Sequence, residues 1–238
     1  MNLRRLFFLL AFCLVGQAWA QRLPLPATSI GLDSPAGQKL LLESDTKADY
    51  WPLSIQYQTQ QDPSSCGPAS SVMILNALAL PSPVSKIHQP FHQFDQDNFF
   101  SPAAEKVLSR TTLRRQGATL NELAGMLSSW GAEVQVCHAR QGGLEEFRDQ
   151  ARQALGSGQR FVIINFHRDP LGQSGGSHFS PLAAYHQGSD RFLVMDVARF
   201  RYPPFWVKAD PLFRAMNTVD GVSEQTRGYL LITAPHQS

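Results

Sequence analysis

Cys66 stands in Ser64-Ser65-Cys66-Gly67-Pro68-Ala69-Ser70, directly before an apolar run that suits a helix. A thiol at a helix N-terminus meets the positive end of the helix dipole, which favours the thiolate, the nucleophilic form. Pro68 is tolerated there because first-turn amides have no intrahelical partner. Gly67 and Ala69 leave room for a substrate carbonyl. The same context also admits a buried structural cysteine or a bridge to Cys137.

A cysteine nucleophile needs an imidazole to take its proton and a partner that orients the ring. Among seven histidines, His178 is distinctive. It follows Gly175-Gly176-Ser177, where glycines allow close backbone approach, and it enters a strand-like run to Leu182. Asp196 lies in Leu193-Val194-Met195-Asp196-Val197, an acid among apolar neighbours that calls for a polar partner. A hairpin turning near Gly188 would set the two on adjacent strands, a few residues out of register. Cys66, His178 and Asp196 then form a candidate triad. Gln60, six residues before Cys66, offers a side-chain amide that would join the Cys66 N–H in an oxyanion hole. The competing reading is a metal site built from His167, Asp169, His178 and Cys66. It lacks the dense ligand spacing of Cys-x-x-Cys or His-Glu-x-x-His, so no metal-binding residues are assigned.

The elements that must position these groups follow from periodicity and punctuation. Val72, Ile74-Leu75 and Leu78-Ala79 predict a buried helix over 69–80, ended by Pro81 and Pro83. Residues 82–100 read as an ordered aromatic and polar loop. Ser101-Pro102 opens a short helix to about Ser109. Thr119-Leu120-Asn121-Glu122 is a capping box that starts a helix to about Trp130, with Gly131 as its C-cap. A strand is expected over 134–137 and a charged amphipathic helix over 144–155, ended by Gly156. Further strands are expected at 161–166, 179–185, 192–197, 205–207 and 229–232. Helices first and strands later predict an α+β fold in two lobes, with the site between them.

The whole chain has 238 residues, 43% apolar and 17% charged, enough for one domain with a large core and unlike a disordered chain. Arg4 and Arg5 precede an apolar run from Leu6 to Val15 and the small-x-small site Ala18-Trp19-Ala20, the layout of a secretory signal peptide over 1–20. The run is shorter than the ~20 residues of an ordinary membrane span. Residues 21–50, rich in Pro, Gly and Ser, read as an extended lead-in, and 51–238 as the catalytic domain. Without Arg4 and Arg5 the 21 basic residues become 19, against 19 acidic. A neutral surface with no basic run gives no electrostatic case for nucleic acid. The expectation is an exported, periplasmic protein free of the membrane after cleavage. A homodimer stays open.

Several long motifs in order carry a further resemblance. They are the segment from Cys66 to Asn76, Gln96-Asp97-Asn98-Phe99-Phe100, Ser180-Pro181-Leu182-Ala183-Ala184-Tyr185 and Met195-Asp196-Val197-Ala198-Arg199-Phe200. Tyr202-Pro203-Pro204-Phe205-Trp206-Val207 and Ala215-Met216-Asn217-Thr218-Val219-Asp220 complete the set. Together they resemble the phytochelatin synthases in their short bacterial form, within the papain superfamily, over roughly Trp51 to Thr233. The resemblance implies a papain-like fold with a helical N-terminal lobe and an antiparallel-sheet C-terminal lobe. It also implies Cys66 as nucleophile, His178 as base and acid, Asp196 as orienter and Gln60 in the oxyanion hole.

The implied substrate is glutathione, cleaved through a γ-glutamylcysteinyl acyl-enzyme with glycine leaving. Asp220 and Arg227 match the family's contacts to the γ-glutamyl end. A carboxylate suits its ammonium, and a guanidinium fork suits its carboxylate. Cadmium or zinc is expected as a metal–glutathione thiolate substrate, with no cofactor on the protein. Plant-type members carry a C-terminal cysteine-rich region associated with metal response, and this sequence ends at Ser238 without one. The expectation is that hydrolysis dominates and phytochelatin synthesis is minor. The alternative from another class is an exported thiol- or metal-binding protein without catalysis.

Overall fold

Alternation along the strands divides the apolar interior into two layers, one on each face of a single sheet. The computed structural model describes residues 22–235. The expected signal segment lies outside the described residues. In chain order the first elements are β1 (Ile30–Gly31), α1 (Pro35–Glu43), α2 (Tyr50–Ile55), α3 (Cys66–Ala77) and α4 (Pro102–Val107). Next come α5 (Arg110–Gln116), α6 (Leu120–Ser128), β2 (Glu133–His138), α7 (Ala139–Ser157) and β3 (Arg160–His167). The chain closes with β4 (Ser177–His186), β5 (Arg191–Val194), β6 (Phe205–Lys208), α8 (Ala209–Met216) and β7 (Gly228–Thr233).

The seven strands form an antiparallel sheet in the order β1-β6-β5-β4-β3-β7-β2. Phe161, Ile163, Ala183, Leu193, Trp206, Leu230 and Ile232 pack on one face with α3 and α6. Their neighbours Val162, Ile164, Leu182, Phe192, Val194, Phe205 and Leu231 pack on the other with α7 and α8. This is the period-2 consequence of strand geometry. The α+β class is as expected. Ten of the twelve residues of α3 are buried, so this helix lies inside the helical layer rather than on its surface.

Two local expectations are corrected, and one helix appears where none was expected. The segment 21–50 is not simply extended: it holds β1 and α1. Ser34 caps α1 by accepting from the Gly37 amide, with Pro35 in the first turn. Residues 110–116 form α5, capped by Ser109. The long helix ends at Gly158 in the left-handed conformation, not at Gly156, and it is kinked at Gly143, so its regular part begins where the amphipathic pattern does. The capping box at Thr119 and Glu122 has both of its bonds.

Candidate active site

Cys66 opens α3, and its preceding residue Ser65 makes no side-chain cap, so no capping side chain covers the first-turn amides at the thiol. Gly67 sits in a tight contact, since a Cβ there would come 3.0 Å from Leu123 Cδ1 and that side chain would have to give way. Ser70 Oγ donates to the Phe179 carbonyl at 3.3 Å, tying the first turns of α3 to β4, the strand that carries His178. The helical layer thus delivers the thiol and the sheet delivers the imidazole.

His178 is buried beside the β3 residue Phe166, whose ring it meets edge-on at 5.6 Å. Its Nε2 lies 2.9 Å from Asp196 Oδ1, which leaves Nδ1 as the ring nitrogen for its hydrogen bond with Cys66. Asp196 follows β5 and is 0% exposed. The Met195 amide donates to the Pro181 carbonyl at 2.9 Å, which holds this stretch against β4. Asp196 Oδ1 also accepts the Ala198 amide at 2.9 Å, and Tyr57 Oη donates to the Asp196 carbonyl at 2.5 Å.

Burial acts against every charge in this cluster, and the partners outweigh it. Burial pushes the Cys66 thiol up, but the His178 hydrogen bond and charge, with the Phe179 and Gly67 amides, bring it below the usual thiol range. Burial pushes His178 down, yet the Asp196 carboxylate raises it above the ordinary imidazole value. Asp196 is held below the usual carboxylate range against burial by the charge of His178 and then Arg168. All three directions favour thiolate, imidazolium and carboxylate together.

A cavity of about 300 Å³ opens beside Cys66, lined by Gly67, Arg115, Ser177, Phe179 and Asp220 among others. A narrower one of about 70 Å³ adjoins His178, with Gln60, Arg168 and Ser177 in its wall. Gln60 is buried; its Nε2 donates one hydrogen to the Asp62 carbonyl at 2.8 Å, and its Oε1 has no partner. The second Nε2 hydrogen remains for a ligand. The Gln60 amide donates to the Val197 carbonyl at 2.9 Å, so the loop is sewn to the strand end that carries Asp196. Gln96 clamps the same loop, accepting from the Gln61 amide and donating to the Thr59 carbonyl.

Asp220 lies in the wall of the larger cavity, its Oδ1 accepting the Val222 and Ser223 amides at 2.9 and 3.1 Å. Arg227 stands beside it with Nη2 3.3 Å from Asp220 Oδ2. Its other donors go to Ser177 Oγ, Thr218 Oγ1 and the Val219 carbonyl. Cys66 and Cys137 are both free. Cys137 sits on β2 with its thiol raised by burial. Among the described residues no three His, Cys, Asp or Glu side chains gather to hold a metal ion, and no helix is long and apolar enough to cross a membrane.

Sequence reasoning missed Arg168. It is 2% exposed, with Nη2 3.0 Å from Asp196 Oδ1 and Nη1 donating to Gln173 Oε1 at 2.7 Å. Its only sequence signal was a cation just past the end of β3, after His167, which reads as a surface residue.

Residues 20–229 match the family model described as "Phytochelatin synthase". The chain belongs to the phytochelatin synthase family. It is 36% identical over 219 residues to glutathione gamma-glutamylcysteinyltransferase 1 of Lotus japonicus, covering 90% of this chain and 42% of that protein. It is 32% identical over 196 residues to glutathione gamma-glutamylcysteinyltransferase 2 of Arabidopsis thaliana, covering 82% of this chain and 42% of the relative. With glutathione gamma-glutamylcysteinyltransferase of Schizosaccharomyces pombe the identity is 28% over 215 residues, 89% of this chain and 50% of the other. The chain therefore spans half the length, or less, of these family members. The family match covers the triad, Gln60, Asp220 and Arg227.

Proposed function

We propose that this protein is a cysteine-nucleophile γ-glutamylcysteine dipeptidyl transferase that acts on glutathione and releases glycine. The observation that carries the reading is the Cys66–His178–Asp196 chain, with the imidazole 2.9 Å from a fully buried carboxylate and hydrogen-bonded to a thiol at a helix N-terminus. Membership in a family whose named relatives are glutathione gamma-glutamylcysteinyltransferases supports the choice of substrate.

In the proposed reaction the Cys66 thiolate attacks the carbonyl carbon of the cysteinyl–glycine bond. The oxyanion is met by the Cys66 N–H and the remaining Nε2 hydrogen of Gln60. His178 donates its proton to the departing glycine nitrogen, and the C–N bond breaks to leave a thioester on Cys66. His178 then takes a proton from the incoming water or peptide amine as it attacks the thioester, and the thiolate returns. Asp196 keeps Nδ1 aimed at the sulfur by holding Nε2.

Asp220 holds the ammonium of the γ-glutamyl end, and Arg227 supplies positive charge for its carboxylate. Water is the main acceptor, and a second peptide the minor one that lengthens the chain. Cadmium or zinc enters as a thiolate complex of glutathione, a substrate form rather than a group held by the protein. The reading places the enzyme outside the cytosol, on the strength of the N-terminal basic and apolar pattern. Glycine release from glutathione by the purified protein and by Cys66→Ala tests the core of it. Release by the wild type that vanishes in Cys66→Ala is expected; equal release by both would end the proposal.

A further inference from the structure

Gln96 lies in the loop over 82–100, takes part in no step of the proposed reaction and lines neither cavity beside the triad. It is 5% exposed, and its side-chain amide is bonded at both ends. Oε1 accepts the Gln61 amide at 2.9 Å, while Nε2 donates to the Thr59 carbonyl at 3.0 Å and to Gln58 Oε1 at 3.3 Å. The two backbone bonds fall on the residues either side of Gln60. They are the pair that a neighbouring strand would supply to an extended chain, so one side chain stands in for a strand. With the Gln60 amide given to the Val197 carbonyl, the backbone is tied before, at and after the oxyanion residue.

Gln96 is in turn held from the helix that carries the nucleophile. Asn76, near the far end of α3, accepts the Phe94 amide and donates to the Phe94 carbonyl, each at 2.9 Å. Phe94 is buried against Trp130, whose Nε1 donates to the Phe99 carbonyl at 2.9 Å. Asp95 Oδ1 accepts the Asp97 and Asn98 amides at 2.9 and 2.7 Å, fixing the turn that carries Gln96. One end of α3 thus presents the thiol, and the other braces the clamp on the Gln60 loop. An oxyanion donor helps only where it meets the developing charge, and a misplacement of about 1 Å can cost on the order of 100-fold.

We propose that Gln96 is the positioning residue of the oxyanion hole, holding Gln60 in place against the Cys66 N–H, an inference that rests on the function proposed above. It acts through Gln60 alone. The experiment is a double-mutant cycle of glycine release with Gln60→Ala, Gln96→Met and the pair. Gln96→Met keeps the length of the side chain and removes both backbone bonds. Alkylation of Cys66 by iodoacetamide, which passes through no oxyanion, reports the thiol–imidazole pair in each variant.

Gln60→Ala should lower kcat by about 100- to 1000-fold, the range for one oxyanion donor. Gln96→Met should lower kcat by about 10-fold or more with KM little changed, as for an interaction made only in the transition state. The pair should be no slower than Gln60→Ala alone, and Cys66 should alkylate at the wild-type rate in all three. A wild-type kcat in Gln96→Met, losses that multiply in the pair, or alkylation slowed along with kcat would overturn the assignment. Glycine release absent from the wild type, or undiminished in Cys66→Ala, removes the function itself. Release that needs Cys66 but not Gln60 removes the oxyanion assignment and this inference with it. Release that needs both, yet falls independently in Gln96→Met, removes this inference alone.

Discussion

Arg168 and His178 share one oxygen of Asp196: Arg168 Nη2 lies 3.0 Å and His178 Nε2 2.9 Å from Oδ1, and Arg168 is 2.9 Å from Oδ2 as well. The carboxylate is thus held from two sides by groups that are themselves buried. The guanidinium is braced in turn by Gln173 and lies over the rings of Phe166 and Tyr202 at 5.6 and 5.2 Å. A carboxylate fixed this way cannot turn from the imidazole when the thiolate forms or is consumed.

Removing Arg168 should therefore cost both stability and alignment. Arg168→Met leaves a fully buried carboxylate with one of its two cationic partners gone, a loss of about 3–5 kcal/mol by the usual measure of broken buried pairs. Arg168→Lys should recover part of it. Arg168 also lowers the proton affinity of His178. In Arg168→Lys, where the charge stays, the alkaline limb of glycine release should hold its place. In a folded Arg168→Gln it should move to higher pH. Thermal unfolding and pH–rate profiles check both, and an unshifted limb in Arg168→Gln would show that the guanidinium has no electrostatic hold on the base.

The thiolate itself is open to measurement. Cys66 is held below the ordinary thiol range, so its alkylation by iodoacetamide should stay fast well below the ~8.5 expected of a free cysteine. His178→Ala removes the hydrogen bond and charge that offset burial. In that variant the thiol should rise, and alkylation should become slow at neutral pH. Cys137, raised by burial, should react later than Cys66 in the wild type, and blocking it should spare glycine release. Two free thiols per chain, Cys66 and Cys137, are expected once the N-terminal segment that carries Cys13 is removed. Equal alkylation profiles in wild type and His178→Ala would deny the pair.

Asp49 gives a prediction unrelated to catalysis. It is 0% exposed at the start of α2, and no donor meets either carboxylate oxygen in full hydrogen-bond geometry, the Gly158 amide giving only a weak approach. Burial pushes it up to about 8, only partly offset by the Gly158 amide. In the unfolded chain an aspartate titrates near ~3.9. Between about pH 4 and 8 the folded protein keeps a proton that the unfolded chain has released. Stability on this account falls as pH rises through that window, by up to ~1.4 kcal/mol per unit, and levels off above it. Asp49→Asn should remove the slope, so its Tm advantage over wild type should grow from pH 5 to pH 8. An advantage that is constant or reversed over that range would refute the burial argument.

How much of this was legible in the chain depends on whether the deciding contacts are local. The Cys66 helix start, the Thr119–Glu122 capping box and the β4–β5 hairpin are written in neighbouring residues, so spacing revealed them. His178 and Asp196 meet because that hairpin is short, and an acid between Met195 and Val197 has to find a partner. α1 was hidden because Ser34-Pro35, a sound helix start, sits in a stretch whose Pro, Gly and Ser content signals extended chain. Arg168 was hidden for a different reason. A cation after an apolar strand is ordinarily solvent-facing, and only the approach of Gln173, Tyr202 and Asp196 buries it. The pairing of Arg227 with Ser177 spans fifty positions and leaves no local trace.

On the proposed reaction, hydrolysis should outweigh transfer because water needs no binding site of its own. In that reaction the γ-glutamylcysteinyl group would remain in the cavity of about 300 Å³ beside Cys66, Phe179 and Asp220 after glycine leaves. The acceptor would approach the thioester on the side of His178, the group that takes its proton. An immobilised peptide acceptor also loses translational and side-chain freedom, a cost that water at solvent concentration avoids. Products from millimolar glutathione should therefore be mostly γ-Glu-Cys and glycine, with (γ-Glu-Cys)n-Gly minor. Added cadmium or zinc, by joining two glutathiones in one thiolate complex, should raise the share of polymer by presenting the second amine along with the first thiol. Mass spectrometry of the product mixture with and without metal measures this directly. Polymer dominating without metal would mean that the acceptor peptide is bound tightly enough to outcompete water, and the entropic argument would fail.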